Sequence, residues 1–282
     1  MIKIHVLDTG FIHVSPYVPY DNINAGRLKI MGLTVPRSRW VWLPVRSYLI
    51  EHPHGLILTD TGWDRRISPT GDYDKKTQAA VLGSKMLAKI NQGHLPEGKA
   101  IDEQLLARGY SAHDLDYVVL THLDCDHVSG VAQVRQARHI LVADDEMQAA
   151  MSGSTQSRVR YQSSQWRDVP MTIYQWNSDQ GPFNRSYDLF GDHSVELINI
   201  PGHSPGLVAV KITNPDGQYV LLTSDGAYSE RSWREMVLPG IGTNRNDQLK
   251  SLRWIREQCL SPRCVAALST HDPDCTVEEL EL

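Results

Sequence analysis

Short apolar runs closed by a polar or turn residue recur along the chain, and stretches with helical spacing lie between them. Residues 1–8 alternate like a strand, and residues 45–51 and 55–60 read as two more around the turn His52-Pro53-His54-Gly55. Residues 16–39 are polar and proline-punctuated and read as a loop. Over 74–92 the residues Ala79, Ala80, Leu82, Met86, Leu87 and Ile90 recur three and four apart, which predicts one helix. A second helix covers 101–107 and is stopped by Gly109. The pattern then gives strands at 117–121 and 140–142 and helices at 128–133 and 144–151. Residues 152–192 are rich in Ser, Gln, Trp, Arg and Asp with little periodicity; a stretch this long without clear elements tends to carry function, and it reads as a substrate-covering insertion. Beyond it come strands at 195–200, 219–223 and 265–269 and a helix at 247–258. Strands alternating with helices over the whole chain indicate an α/β protein, read as a single domain over 1–282.

The ends of the strands are more telling than the strands themselves. The run Tyr117-Val118-Val119-Leu120 leads into Thr121-His122-Leu123-Asp124-Cys125-Asp126-His127-Val128-Ser129-Gly130, which sets four imidazole or carboxylate groups able to bind a divalent cation within six residues. A loop leaving a buried strand can aim all four into one cleft, because the strand fixes where the loop starts. Three later strands end the same way, in Pro201-Gly202-His203-Ser204, in Ser224-Asp225-Gly226 and in Thr270-His271-Asp272. The strand at 55–60 ends in Asp60-Thr61-Gly62, a setting suited to a carboxylate that orients a ligand histidine. One such ending would be an ordinary turn; this many together indicate a metal site. The remaining histidines, among them His5, His52, His94 and His193, have no comparable setting and read as loop or surface residues.

Composition narrows the function classes. The chain has 282 residues, 41% hydrophobic and 22% charged, with a formal charge of −5. No Lys/Arg run exceeds two, so nothing recruits nucleic acid electrostatically. No stretch approaches the roughly 18 apolar residues of a membrane span, and residues 1–8 lack the apolar core of a signal peptide. Cys125, Cys259, Cys264 and Cys275 form no C-x-x-C pair and are expected as reduced thiols, in keeping with a cytoplasmic protein. The expected partner is a small-molecule substrate.

The ordered landmarks Asp60-Thr61-Gly62, His122 to His127, Pro201-Gly202-His203-Ser204, Asp225 and His271 resemble the metallo-β-lactamase-fold hydrolases, and among them the N-acyl-homoserine-lactonase group. The resemblance implies a four-layered αββα sandwich with two divalent metal ions, zinc first, at one edge. It implies His122 and His203 as ligands of the first ion, Asp126, His127 and His271 as ligands of the second, and Asp225 as a bridge. Tyr228, three residues after Asp225, matches the tyrosine that this group uses to hydrogen-bond the substrate carbonyl. The implied activity is the opening of a lactone by a metal-bridging hydroxide, with Asp126 passing the proton to the leaving group.

Two positions depart from the family's H-x-H-x-D-H pattern. Asp124 stands where the second histidine belongs; as a ligand it adds negative charge and favours harder ions such as Mn²⁺ or Fe²⁺. Cys125 stands where many lactonases carry an aromatic residue that lines the substrate pocket. Alternative readings are another ester, thioester or phosphoester hydrolase on this scaffold, a diiron redox protein, and a non-catalytic metal-binding protein. The diiron branch with a carboxylate at the second histidine pairs the fold with a flavin domain, for which this chain has no room.

Overall fold

The computed structural model describes residues 1–21 and 24–282. The thirteen strands among the described residues are β1 (Lys3–Val14), β2 (Val41–His52), β3 (Gly55–Thr59), β4 (Gln92–His94), β5 (Tyr117–Val119), β6 (His139–Ala143), β7 (Thr172–Tyr174), β8 (Ser186–Asp188), β9 (Val195–Asn199), β10 (Val208–Thr213), β11 (Tyr219–Leu222), β12 (Cys264–Leu268) and β13 (Glu279–Glu281). They form two sheets, one ordered β13-β1-β2-β3-β5-β6-β7 with β4 alongside β1, the other β12-β11-β10-β9-β8.

The alternation of side chains along each strand explains why the sheets stack. Ile50, Ile57, Val119 and Leu141 of the first sheet pack against Val195, Val210, Val220 and Leu222 of the second, making the central core. Their neighbours Leu49, Leu58, Val118 and Ile140 point the other way, onto Ile101 and Leu105 of the helix Ile101–Ala107. On the second sheet Ala209, Tyr219 and Leu221 likewise turn outward onto Leu252 and Ile255 of the helix Arg245–Cys259. Both faces of both sheets are therefore apolar, and each needs a cover, which gives the helix–sheet–sheet–helix sandwich. A slip of one residue would exchange the inner and outer sets, so the register is tightly specified.

Strand direction places the functional edge. β3 and β5 are parallel. β9 and β11 each run antiparallel to β10, and β11 is parallel to β12, so β9, β11 and β12 share one direction. Within each sheet the carboxyl ends of these strands thus open on the same edge, where ligands bind in open α/β sheets. The two edges are tied together there by the Val208 amide donating to the Thr121 carbonyl at 3.1 Å.

Several local expectations are corrected. The first strand runs on to Val14 instead of ending at residue 8. The single helix over 74–92 is two, Lys75–Val81 and Lys85–Ile90, because Gly83 takes φ +67° and Ser84 caps a new start by accepting from the Leu87 amide. The helix expected at 128–133 begins earlier, as one α-turn at Cys125–Val128 followed by a 3-10 stretch at Ser129–Val134. Asp126 and His127 therefore stand on the first turn of a helix. The loop expected over 16–39 contains short turns at Arg27–Ile30 and Arg37–Arg39; its residues 22 and 23 lie outside those described. Residues 152–192 are a crossover between the sheets, carrying the helix Thr155–Arg160, β7 at the rim of one sheet and β8 at the rim of the other. Elements three to six residues long leave too few periods to read in a sequence.

Candidate metal centre

Each candidate histidine reaches the cleft with its ring orientation already decided. An ionised carboxylate only accepts hydrogen bonds. His127 Nδ1 lies 2.8 Å from Asp60 Oδ2, so that nitrogen carries a proton and Nε2 is the one left for a metal. The Thr121 hydroxyl donates to the same Oδ2 at 2.8 Å, so toward His122 Nδ1, 3.1 Å away, its oxygen can only accept. His203 Nδ1 faces the Ile241 carbonyl at 3.2 Å and His271 Nδ1 faces the Pro44 carbonyl at 2.8 Å, and both carbonyls accept. All four rings therefore commit Nδ1 to a partner outside the cleft and turn Nε2 toward the cleft as the nitrogen left for a metal. Fixing of the tautomer by a partner on the far nitrogen is what a ligand histidine requires.

The carboxylates complete two clusters, His122–His203–Asp225 and Asp126–His127–His271, all buried. Asp225 serves both. Its Oδ2 lies 3.9 Å from His122 Nε2 and 3.4 Å from His203 Nε2, while its Oδ1 lies 3.2 Å from both His127 Nε2 and His271 Nε2. Asp126 Oδ2 stands 3.8 Å from His127 Nε2 and 3.5 Å from His271 Nε2. A tetrahedral ion with bonds of ~2.0–2.1 Å sets its donors about 3.3 Å apart, so these separations suit a cation at each centre. The Nε2 atoms of His122 and His127 and the Oδ1 of Asp225 are buried with no hydrogen-bond partner, a costly arrangement that a bound ion would satisfy. The donor set fits two divalent ions.

Asp124 takes a different position from the other carboxylates. Its Oδ2 lies 3.0 Å from His203 Nε2 and 3.4 Å from His122 Nε2, at the same spacing as the first cluster. Both of its oxygens are also held by Arg160, Nε to Oδ1 at 2.5 Å and Nη2 to Oδ2 at 2.7 Å. Burial opposes ionisation of Asp124, but Arg160 and the two histidines outweigh it and hold the carboxyl well below its usual range. Nothing in the motif points to Arg160, which lies 36 residues away in the crossover segment.

One further group that the sequence reading missed holds the loops. Glu146, fully buried, accepts from the Leu123 amide and the Gly206 amide, both at 3.1 Å, and so joins the His122 loop to the His203 loop. Asp60 itself adopts φ +56°, a left-handed conformation rare for a non-glycine residue and common at functional sites. Its sequence setting suggested a carboxylate that orients a histidine, and its Oδ2 lies against His127 Nδ1. The Cys125 thiol is raised well above its ordinary value by burial and by Asp126 and Asp124, and Asn91 Nδ2 approaches its sulfur at 3.7 Å. It is a neutral lining residue outside both clusters.

Residues 40–255 match the Metallo-beta-lactamase superfamily. The chain belongs to that superfamily. Within it, the chain is similar to the N-acyl homoserine lactonase AttM of Rhizobium radiobacter, with 26% identity over 82% of this chain and 83% of the relative. It is also 27% identical to an N-acyl homoserine lactonase of Bacillus cereus, over 86% of each chain. Among solved structures, an N-acyl homoserine lactone hydrolase with N-hexanoyl-L-homoserine at its catalytic metal centre superposes with a TM-score of 0.72 at 22% identity, over 96% of this chain and 94% of the other. The expected αββα metallo-β-lactamase fold is thus the fold observed. No helix among the described residues is long and apolar enough to cross a membrane.

Proposed function

We propose that this superfamily member, a metal-dependent hydrolase, opens the ring of a lactone, in the manner its similarity to the homoserine lactonases suggests. The observation that carries the reading is the convergence of four histidine Nε2 atoms and a two-sided carboxylate on a cleft that also holds Tyr228. His122, Asp124, His203 and Asp225 would hold one ion, and Asp126, His127, His271 and Asp225 the other, with zinc preferred for these nitrogen and oxygen donors. Such a pair of ions supplies a nucleophile at neutral pH and polarises a carbonyl.

The protein's own groups do the rest. Tyr228 is buried, and burial together with Asp225, Asp126 and Asp124 keeps its phenol well above the ordinary value, so it remains a proton donor. Its ring stacks on His271 with centroids 4.8 Å apart, which fixes the direction of the hydroxyl. From there it donates to the oxygen on which charge develops. Asp126 lines the same cleft and returns the proton to the leaving alkoxide. Next to the first cluster lies a cavity of about 540 Å³ lined by Ile30, Met31, Leu87, Ile90, Val159 and Ile241, suited to an acyl chain. Thr155, Gln156, Val159 and Arg160 border it, so the crossover segment covers the substrate from one side.

The test is proton release by metal-loaded protein on a panel of short- and long-chain lactones beside a thioester, a phosphoester and a β-lactam. Lactone opening with a preference for acylated rings supports the reading. Turnover of only the thioester or the phosphoester, with both ions bound, rules it out.

A further inference from the structure

The departure at Asp124 has its counterpart in space. Arg160 ends the helix Thr155–Arg160, and each of its donor nitrogens is engaged. Nε and Nη2 grip the Asp124 carboxylate, and Nη1 donates to the His203 carbonyl at 2.6 Å. The guanidinium thus holds one candidate ligand by its side chain and another by its backbone. The pair is largely shielded, with side-chain exposures of 11% for Arg160 and 16% for Asp124. Oδ1 of Asp124 is taken by Nε, while Oδ2 accepts from Nη2 and still faces His122 and His203. A fork-to-fork pair fixes geometry as well as charge.

We propose that Arg160 and Asp124 act as one neutral unit in place of the missing histidine. Asp124 offers a single oxygen to the first ion, and Arg160 is the positioning residue that fixes that oxygen and cancels its charge. The inference rests on the reading that His122, His203 and Asp225 hold an ion. It has a direct consequence for metal choice. The first site keeps the charge of an imidazole-bearing site, so Zn²⁺ remains favoured over Mn²⁺ despite the carboxylate.

Five proteins test this: wild type, Arg160→Met, Arg160→Lys, Asp124→His and the Asp124→His/Arg160→Met double variant, each measured for bound Zn²⁺ after dialysis, for Zn²⁺ against Mn²⁺ in competition, and for the visible spectrum of the Co²⁺ form. Wild type should bind two equivalents. Asp124→His restores the family's ligand but leaves a buried, unpaired guanidinium beside the ion, so it should keep one equivalent. Adding Arg160→Met to it should bring back the second. Arg160→Met alone should weaken the first ion about 10–100-fold, the usual cost of losing a partner of a metal ligand. It should also move the competition toward Mn²⁺ and alter the Co²⁺ spectrum. Arg160→Lys, which keeps the charge without the fork, should fall between.

The second position, built by Asp126, His127 and His271, is the internal control and should stay filled throughout. Loss of both ions from Arg160→Met would mark a role in the fold alone and overturn the proposal. Two tightly held equivalents in Asp124→His would overturn it as well, as would an unchanged first-site affinity and spectrum in Arg160→Met. Wild-type protein that binds no ion would overturn the metal reading and this inference with it, whereas two ions in wild type with uncoupled variants would overturn the inference only.

Discussion

Replacing Asp60 by asparagine removes one charge and turns one acceptor into a donor without changing shape. In the native protein Asp60 Oδ1 accepts from the Thr121 amide at 2.8 Å, while Oδ2 accepts from the Thr121 hydroxyl and from His127 Nδ1, also at 2.8 Å. Asparagine can satisfy only one side. If its oxygen keeps the Thr121 amide, its NH₂ faces His127 Nδ1 and the Thr121 hydroxyl. His127 must then move its proton to Nε2, and the Thr121 hydroxyl, now accepting from the amide, is freed to donate to His122 Nδ1 and to shift that ring as well. Both metal positions lose the nitrogen left for a metal. An outer partner of this kind is worth about 10–100-fold in metal affinity, which corresponds to about 1.4–2.7 kcal/mol.

If the amide flips instead, the tautomers survive but the buried Thr121 N–H faces a donor, at a cost of about 1–3 kcal/mol in fold stability. The loss must therefore appear either in the metal or in the fold. Competition with a chromophoric chelator reads the first, urea denaturation of the metal-loaded protein reads the second, and proton–nitrogen correlation spectra of the imidazoles report the tautomers directly. Asp60→Asn with wild-type affinity at both positions, wild-type stability and Nδ1-protonated rings would refute the tautomer argument.

Tyr228→Phe should lower kcat on the lactone by roughly 10²–10³-fold, the usual effect of losing one donor to the developing oxyanion. Two bound metals and a KM changed much less should accompany it; an unchanged kcat would remove Tyr228 from the reaction. Gly206→Ala should destabilise the fold by about 1–3 kcal/mol, because a Cβ there would sit 2.4 Å from the backbone nitrogen of Glu146, and a urea midpoint equal to wild type would contradict it. Chelation should lower the melting temperature. An ion present at 100 times its Kd contributes about 2.7 kcal/mol to the folded state, so a melting curve indifferent to chelator would count against a built-in metal centre.

Much of this centre is legible in the sequence because strands advertise their ends. Val118, Val119 and Leu120, Ile198 and Ile200, Leu221 and Leu222, and Leu268 are buried runs, and a His or Asp comes after each within a few residues of a turn signal. Burial fixes the strand, the strand fixes the start of the loop, and parallel strand directions bring the loops to one edge. The partner of His127 was equally readable, since Asp60 ends a strand hydrogen-bonded beside β5. The break at Gly83 was not, because apolar spacing continues across it at Leu82 and Met86 and hides the change of helix. The crossover at 152–192 was unreadable for the opposite reason, its elements being too short to show a period.

Arg160 belongs to a third class, in which the signal exists only as an imbalance. A carboxylate in place of a histidine leaves three acidic residues, Asp124, Asp126 and Asp225, around one cleft. Coulomb's law requires that the excess be met somewhere close, by a different ion or by a cation of the protein. Sequence order cannot say which, because Arg158, Arg160 and Arg167 all stand in the same polar segment with no motif to rank them. The fold decides by turning Thr155–Arg160 back over the metal loop, so that Arg160 alone among these donates to Asp124 at hydrogen-bond distance. A changed ligand is therefore weak evidence for a changed metal until the nearest opposite charge in space is known. Here that charge lies close enough to restore the balance a histidine would have kept.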